Sequence, residues 1–121
     1  MPATRDLGAF GEDLAEKFLQ KNGYKILQRN FRSRFGEIDI VAQDKDVLVF
    51  VEVKARWSEK FGLPEEAITP WKLRSIIKTT QYFQLLNPKL PEALRIDLVA
   101  IELSSSGEVK RIEIIKNISG Y

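Results

Sequence analysis

Between Gly36 and Arg56 the chain reads GEIDIVAQDKDVLVFVEVKAR, and this stretch restricts the fold more than any other. It divides into two strands, Gly36–Gln43 and Val47–Lys54, joined by a turn at Asp44–Asp46. With Lys45–Asp46 as the turn proper, an antiparallel ladder sets Gln43 opposite Leu48, Val41 opposite Phe50, Asp39 opposite Glu52 and Glu37 opposite Lys54. Directly opposed side chains share a face of the sheet. One face then carries Ile38, Ile40, Ala42, Val49, Val51 and Val53 and is wholly apolar. The other carries Glu37, Asp39, Val41, Gln43, Leu48, Phe50, Glu52 and Lys54, so every charge lies among large apolar residues. Two carboxylates held side by side and screened from water repel each other, and they either share a proton or hold a cation. A three-residue turn without a compensating bulge would instead set Asp39 opposite Val51 and separate the acids by a face.

Composition narrows the chemistry open to such a hairpin. The 121 residues, 44% hydrophobic and 30% charged, predict one compact domain with a single core over residues 1–121. A net charge of +2 is too small to argue for nucleic acid by itself, so any basic surface has to arise from local clustering. The chain contains neither cysteine nor histidine. Cys/His zinc sites, Ser-His-Asp and Cys-His triads and imidazole bases are therefore excluded. Acid–base and metal chemistry falls to Asp, Glu, Lys and Tyr. Lack of cysteine, of an apolar leader and of a ~20-residue apolar span predicts a cytoplasmic protein with no membrane segment.

The remaining elements follow from periodicity. Asp6 reads as the N-cap of a first helix over Leu7–Asn22, with Leu7, Phe10, Leu14 and Phe18 on the buried stripe. Gly8 and Gly11 within it point to close approach by another backbone, and Glu12 lies at the stripe's edge. Asn22-Gly23 is a C-cap signal. Tyr24–Phe35 reads as a strand with Tyr24, Ile26 and Phe31 inward. Ala55–Ile68 reads as a loop exposing Trp57 and Phe61. Thr69-Pro70 opens a second helix that runs to Leu86, burying Leu73, Ile76, Ile77 and Phe83. A strand at Leu94–Leu103, a turn at Ser104–Gly107 and an edge strand at Val109–Ile115 complete the chain. The order α-β-β-β-α-β-β predicts an α/β fold, a mixed central sheet flanked by helices.

Asp39 and Glu52 supply hard oxygen ligands of the kind Mg²⁺ prefers, an ion that takes one or two protein carboxylates and leaves its other positions to water and phosphate. Lys54 points to the side of Glu52, where its ammonium can orient a water or offset charge on a phosphoryl oxygen. The Val53 carbonyl between them is a third candidate ligand. The bland alternative is a ladder of solvated cross-strand charges. Against it stand the apolar neighbours Val41, Leu48 and Phe50, and the placing of an Asp, disfavoured in strands, opposite another acid. A glycosidase-like acid pair fits less well because a lysine shares the cluster and exposed aromatics are scarce.

With these residues in view, the chain resembles a known family. GxxGExxAxxFL in the first helix (Gly8, Gly11, Glu12, Ala15, Phe18, Leu19), then RNFR, GEID, VFVEVKAR and RIDLVAI closely resemble the bacterial YraN-like family of predicted endonucleases. The likeness covers Leu7 to Ile101. That family is similar in turn to archaeal Holliday-junction resolvases and to the restriction-endonuclease-like PD-(D/E)xK superfamily. The resemblance implies a restriction-endonuclease-like core in which Asp39 is the superfamily aspartate and Glu52 and Lys54 form its E-x-K. It also implies that Glu12 is the acidic first-helix residue that joins the metal site. The superfamily's proline is replaced by Ile38.

The resulting expectation is a Mg²⁺- or Mn²⁺-dependent nuclease acting on DNA, with branched or junction DNA as a candidate substrate. Its metal site would be Asp39, Glu52 and Glu12, with Lys54 assisting the water. Arg29, Arg32 and Arg34 precede the hairpin, Arg56 and Lys60 follow it, and Lys72, Arg74 and Lys78 lie on the second helix. All are candidates for phosphate contact, with Trp57 and Phe61 as stacking candidates. The alternatives are a non-catalytic nucleic-acid-binding module of the same fold and a partner-binding scaffold. A homodimer through the Val109–Ile115 edge is compatible with each.

Overall fold

The computed structural model describes residues 4–58 and 62–120, with the backbone alone at 4–6. Its elements are α1 (Thr4–Lys21), β1 (Lys25–Ser33), β2 (Gly36–Asp44), β3 (Val47–Trp57), a 3-10 turn at Pro64–Ala67, α2 (Pro70–Leu86), β4 (Leu94–Leu103) and β5 (Val109–Ile115). The five strands form one sheet in chain order, antiparallel except for the β3–β4 pair. That parallel pair requires a crossover, and α2 supplies it. This is the mixed sheet flanked by two helices that the order of elements predicts.

The helices lie on opposite faces. Ala15 and Leu19 of α1 bury against Ile40, Ala42, Val49, Val51, Val99 and Ile101. On the other face Ile76 and Phe83 of α2 pack with Phe31, Val41, Leu48, Phe50 and Ile96. Perpendicular ring contacts of Phe83 with Phe31 and Phe50, at 5.0 and 5.6 Å, tie that second layer together. Thr69 caps α2 by accepting from Lys72 N at 3.0 Å, with Pro70 at the first helical position. At the far end of α1, Gly23 takes φ +88° and Tyr24 N reaches back to the Leu19 carbonyl at 3.0 Å. No helix among the described residues is long and apolar enough to cross a membrane.

The hairpin has the expected register from its turn to the middle of the strands. Asp44 pairs with Val47, Gln43 with Leu48, Val41 with Phe50 and Ile40 with Val51, around a two-residue turn in which Lys45 takes φ +56°. The ladder ends at Ile40 and Val51, so Asp39 and Glu52 stand just past the point where β2 and β3 part. Beyond it β2 stays with β1, through Phe31–Ile38 and Arg32–Glu37, while β3 stays with β4 as far as Trp57–Leu103.

Four expectations need correction. Strict alternation puts Ile38 on the face of Ile40, but Ile38 packs on the α2 side. The cause lies one strand away. Asn30 adopts φ +56°, a conformation Asn tolerates better than most residues. Arg29, opposite Ile40, therefore faces α1, whereas Phe31, opposite Ile38, faces α2. Both strands turn over at Asn30 and Asp39. Secondly, α1 starts at Thr4, so Asp6 lies within its first turn rather than capping it. Thirdly, β3 continues through Ala55 and Arg56 to Trp57, which is half-buried against the α1 core instead of exposed in a loop. Fourthly, a virtual Cβ on Gly11 lies 3.1 Å from Ala55 Cβ, as close approach requires, but Gly8 has open space around it.

Candidate metal and phosphate cleft

Where β2 and β3 part, a cleft of about 310 Å³ opens between the two helices. Its walls bring together Glu12 from α1, Asp39 from β2, Glu52 and Lys54 from β3 and Lys72 from α2, with Leu7, Gly8, Val53 and Ala55 beside them. All four sequence-predicted catalytic candidates therefore meet at one place. Lys72, expected as a phosphate contact, meets them there.

Asp39 is held by the backbone that the opened ladder leaves unpaired. Its Oδ2 accepts from Val53 N at 2.8 Å. Burial and the adjoining Glu52 carboxylate push its pKa up to about 8, against the lowering pull of the Val53 N–H and Lys54. Glu52 is 5% exposed. Among the described residues, its Oε2 is buried without a hydrogen-bond partner, and the cation paired with it is Lys72, with Nζ at 3.6 Å. A buried carboxylate oxygen with no donor is costly.

Glu12 enters the cleft from α1 but is tethered elsewhere. Arg29 Nη2 donates to Glu12 Oε1 at 3.2 Å, and Arg29 Nη1 holds Asp13 at 2.8 Å. The Asn30 amide nitrogen faces Glu12 Oε1 at 3.1 Å and Glu37 Oε1 at 3.3 Å. Burial and the Asp39 charge raise the pKa of Glu12, while Arg29 and Asn30 oppose them. Arg29 was grouped by sequence with the phosphate contacts, yet its guanidinium serves this acidic cluster on α1. Its single-residue offset from the overturned position of Asn30 is the reason.

The donor set fits a hard divalent cation. Among the described residues no three carboxylates converge closely enough to hold an ion by themselves. Mg²⁺ needs only one or two, with a carbonyl or water completing its shell. Asp39, Glu52 and the Val53 carbonyl meet that requirement, and the orphaned Glu52 oxygen is the group such an ion would satisfy.

The other predicted contacts are dispersed. Arg32 and Arg34 are exposed at the β1–β2 turn, outside the cleft, with Arg32 Nε 3.5 Å from Glu37. Arg56 is exposed near the end of β3. Trp57 packs against the core. Lys60 and Phe61 lie outside the described residues. Two features escaped sequence reading. Trp71, on α2 one residue before Lys72, is 76% exposed. Asp97, fully buried, accepts from Tyr24 Oη at 2.9 Å, Arg95 Nε at 2.8 Å and Asn117 N at 3.0 Å, while Arg95 also reaches Asp44 at 3.0 Å. That second network, centred on Asp97 opposite Val51, pins the hairpin turn to β4 and the C-terminal segment.

Fold and cleft together define an α/β protein with a carboxylate–lysine cleft at a fork in a mixed sheet. The chain belongs to the uncharacterised protein family UPF0102, whose model matches residues 11–101. That span includes Glu12, Asp39, Glu52, Lys54 and Lys72. It is similar to UPF0102 proteins of Syntrophomonas wolfei (45% identity, 93% of this chain and 96% of the relative) and Persephonella marina (48% identity, 78% and 81%). A Clostridium acetobutylicum UPF0102 protein is 40% identical over 94% of this chain and 93% of its own.

Proposed function

We propose that the protein is a Mg²⁺- or Mn²⁺-dependent nuclease that hydrolyses phosphodiester bonds of DNA, with branched or junction DNA as its substrate class. The observation that carries this reading is Glu52, a buried carboxylate with an unpartnered oxygen beside a second acid, Asp39, that is itself buried enough to favour its protonated form. Two such groups are costly to keep in an apolar sheet unless they have a cation to hold.

Asp39, Glu52 and the Val53 carbonyl would hold the ion, and Glu12 would complete its surroundings once released from Arg29. When bound, the ion would supply a Lewis acid and a water acidic enough to attack at neutral pH. The Val53 N–H fixes Asp39 Oδ2 and so sets the orientation of this carboxyl group at the cleft wall. Lys54 presents an ammonium that orients the attacking water and offsets the charge growing on the phosphoryl oxygens. Lys72 would exchange Glu52 for a substrate phosphate when the ion takes over its carboxylate. Water adds to phosphorus, the P–O bond breaks, and the departing alkoxide takes up a proton. Arg34 and Arg56 are phosphate contacts on this reading.

Purified protein with Mg²⁺ or Mn²⁺ should cut at least one of linear duplex, single-stranded and four-way-junction DNA, and Asp39→Ala should abolish the cut. Cleavage of none, or cleavage indifferent to Asp39→Ala, rejects the reading. One observation favours a second reading, a non-catalytic nucleic-acid-binding module: Lys72 already places a positive charge 3.6 Å from Glu52. Tight DNA binding in EDTA, undiminished by Lys54→Ala and without cleavage, would support it. A homodimer through β5 is compatible with both.

A further inference from the structure

Beside the cleft, the outward face of α2 carries a stripe that the nuclease reading leaves unused. Trp71, Arg74, Lys78, Tyr82 and Leu85 recur at three- and four-residue steps, so they line one side of the helix. The β1–β2 turn lies against this side and closes it into a groove with two adjoining hollows of about 800 and 340 Å³. Arg32, Arg34 and Phe35 form the facing wall. Among the described residues, four of those lining it are basic and none is acidic, and of the four only Arg32 is in an ion pair, with Glu37. Trp71 is 76% exposed, Leu85 79% and Tyr82 38%. Arg74 stacks over Trp71 at 5.2 Å and Arg34 over Phe35 at 4.9 Å.

We infer that this groove binds a single-stranded arm of the DNA substrate, its bases stacked on Trp71 and Tyr82 and its phosphates on Arg34, Arg74 and Lys78. The inference rests on the nucleic-acid reading of the cleft and names the substrate more narrowly, as DNA with an unpaired strand next to the cut. Three observations favour that occupant. A groove free of acidic lining residues and rich in basic ones is complementary to a polyanion. Exposed rings between the cations need flat apolar partners, which a single strand offers and a closed duplex does not. Lys72, one residue from Trp71, lines the catalytic cleft, so the groove leads out of the cleft and follows α2 for roughly 20 Å from Lys72 to Leu85. A second copy of the chain fits poorly, because interface cores are depleted in charge and a two-fold contact here would face like charges with each other.

The test is binding of a fluorescein-labelled single-stranded 15-mer in EDTA, read by anisotropy, with the full chain. The single strand should bind at least tenfold more tightly than the same sequence as a blunt duplex. Trp71→Ala, at a site too exposed to threaten folding, should weaken binding about tenfold, the usual scale for one stacked base. Lys110→Ala, which removes a charge of the same sign from β5, should change it by less than twofold. Tryptophan emission should be quenched by the oligonucleotide in the wild type, and Trp71→Ala should lose most of that quenching. Equal affinity for duplex and single strand, or full affinity in Trp71→Ala, overturns the inference. So does uptake onto anionic phosphatidylserine vesicles that an excess of the oligonucleotide fails to reverse. Because no metal is present, these outcomes are read independently of cleavage, and a failed nuclease assay leaves them distinguishable.

Discussion

Asp39 Oδ2 accepts a hydrogen bond from Val53 N at 2.8 Å, and this contact joins two strands where their backbone ladder has ended. The side chain thus replaces a lost ladder bond and is fixed in place by it. Asparagine at this position can still accept from Val53 N–H and can donate to Glu52. In EDTA at pH 8, Asp39→Asn is expected to be more stable than the wild type by about 1–2 kcal/mol, the scale of one relieved buried charge and one added hydrogen bond. Thermal melts should show its Tm several degrees higher. Calorimetry should show its Mn²⁺ affinity lost.

Proton uptake gives the same site a pH signature. Burial and the Glu52 carboxylate push the Asp39 pKa up to about 8, far above its value in an unfolded chain, so the folded state binds more protons between about pH 4 and 8. Its contribution to stability is fully present below pH 4 and is lost as the pH rises through 8. The stability difference between wild type and Asp39→Asn should therefore widen against the wild type across that interval. Divalent-ion binding at pH 7 should release a proton, measurable by calorimetry in buffers of different ionisation enthalpy.

Lys72 Nζ lies 3.6 Å from the orphaned oxygen of Glu52. Replacing it with methionine leaves that buried carboxylate without a counter-charge, at a cost of about 1–3 kcal/mol in EDTA. On the nuclease reading a divalent ion would supply what the lysine supplied. Saturating Mn²⁺ should therefore raise the Tm of Lys72→Met by more than it raises that of the wild type.

Asp97 is the other acid whose environment fixes its role. It is fully buried and accepts from Tyr24, Arg95 and the backbone of Asn117. Asp97→Ala removes the buried acceptor shared by Tyr24, Arg95 and Asn117 N–H and leaves Arg95 with Asp44 as its remaining carboxylate, and a loss of about 3 kcal/mol is expected. Chemical denaturation should show the midpoint fall without restoration by metal, which separates this structural acid from Asp39 and Glu52.

The two helical glycines of α1 should respond with opposite sign. Gly8→Ala enters open space and should gain about 0.5–1 kcal/mol from helix propensity alone. At Gly11 the new methyl would meet Ala55 Cβ at 3.1 Å, on a stretch of β3 held in register by β4. Gly11→Ala should be no more stable than the wild type, and Gly11→Val clearly less.

Much of this was legible in the residues. The hairpin register follows from a two-residue turn between alternating runs. Helix α2 is announced by Thr69-Pro70 and closed by Asn87. Asp39, Glu52 and Lys54 do line one cleft as the residues suggest, although the Asp39–Glu52 pair expected of the ladder is replaced by the fork beyond Ile40–Val51. The overturn at Asn30 could not, because alternation carries no sign of a single left-handed residue, although an Asn between Arg29 and Phe31 is where one would look. The fates of the two tryptophans show the same limit. Trp57 follows a strand by sequence but belongs to it, since Leu103 pairs with it. Trp71 falls at the start of an amphipathic helix, and only the position of the β1–β2 turn reveals that its ring lines a groove.

The fork between β2 and β3 has one more consequence. Asp39 sits on a prong bound to β1 and covered by α2, and Glu52 on a prong bound to β4, whose outer face meets α1. The gap between their oxygens is therefore a property of the whole sheet, adjusted by the angle at which the prongs diverge. If the pair holds an ion as proposed, a substitution in either layer that spreads or narrows this angle should retune which ion radius is accepted, without touching either carboxylate. On the nuclease reading, ion selectivity would be set by the frame as much as by the side chains proposed to hold the ion.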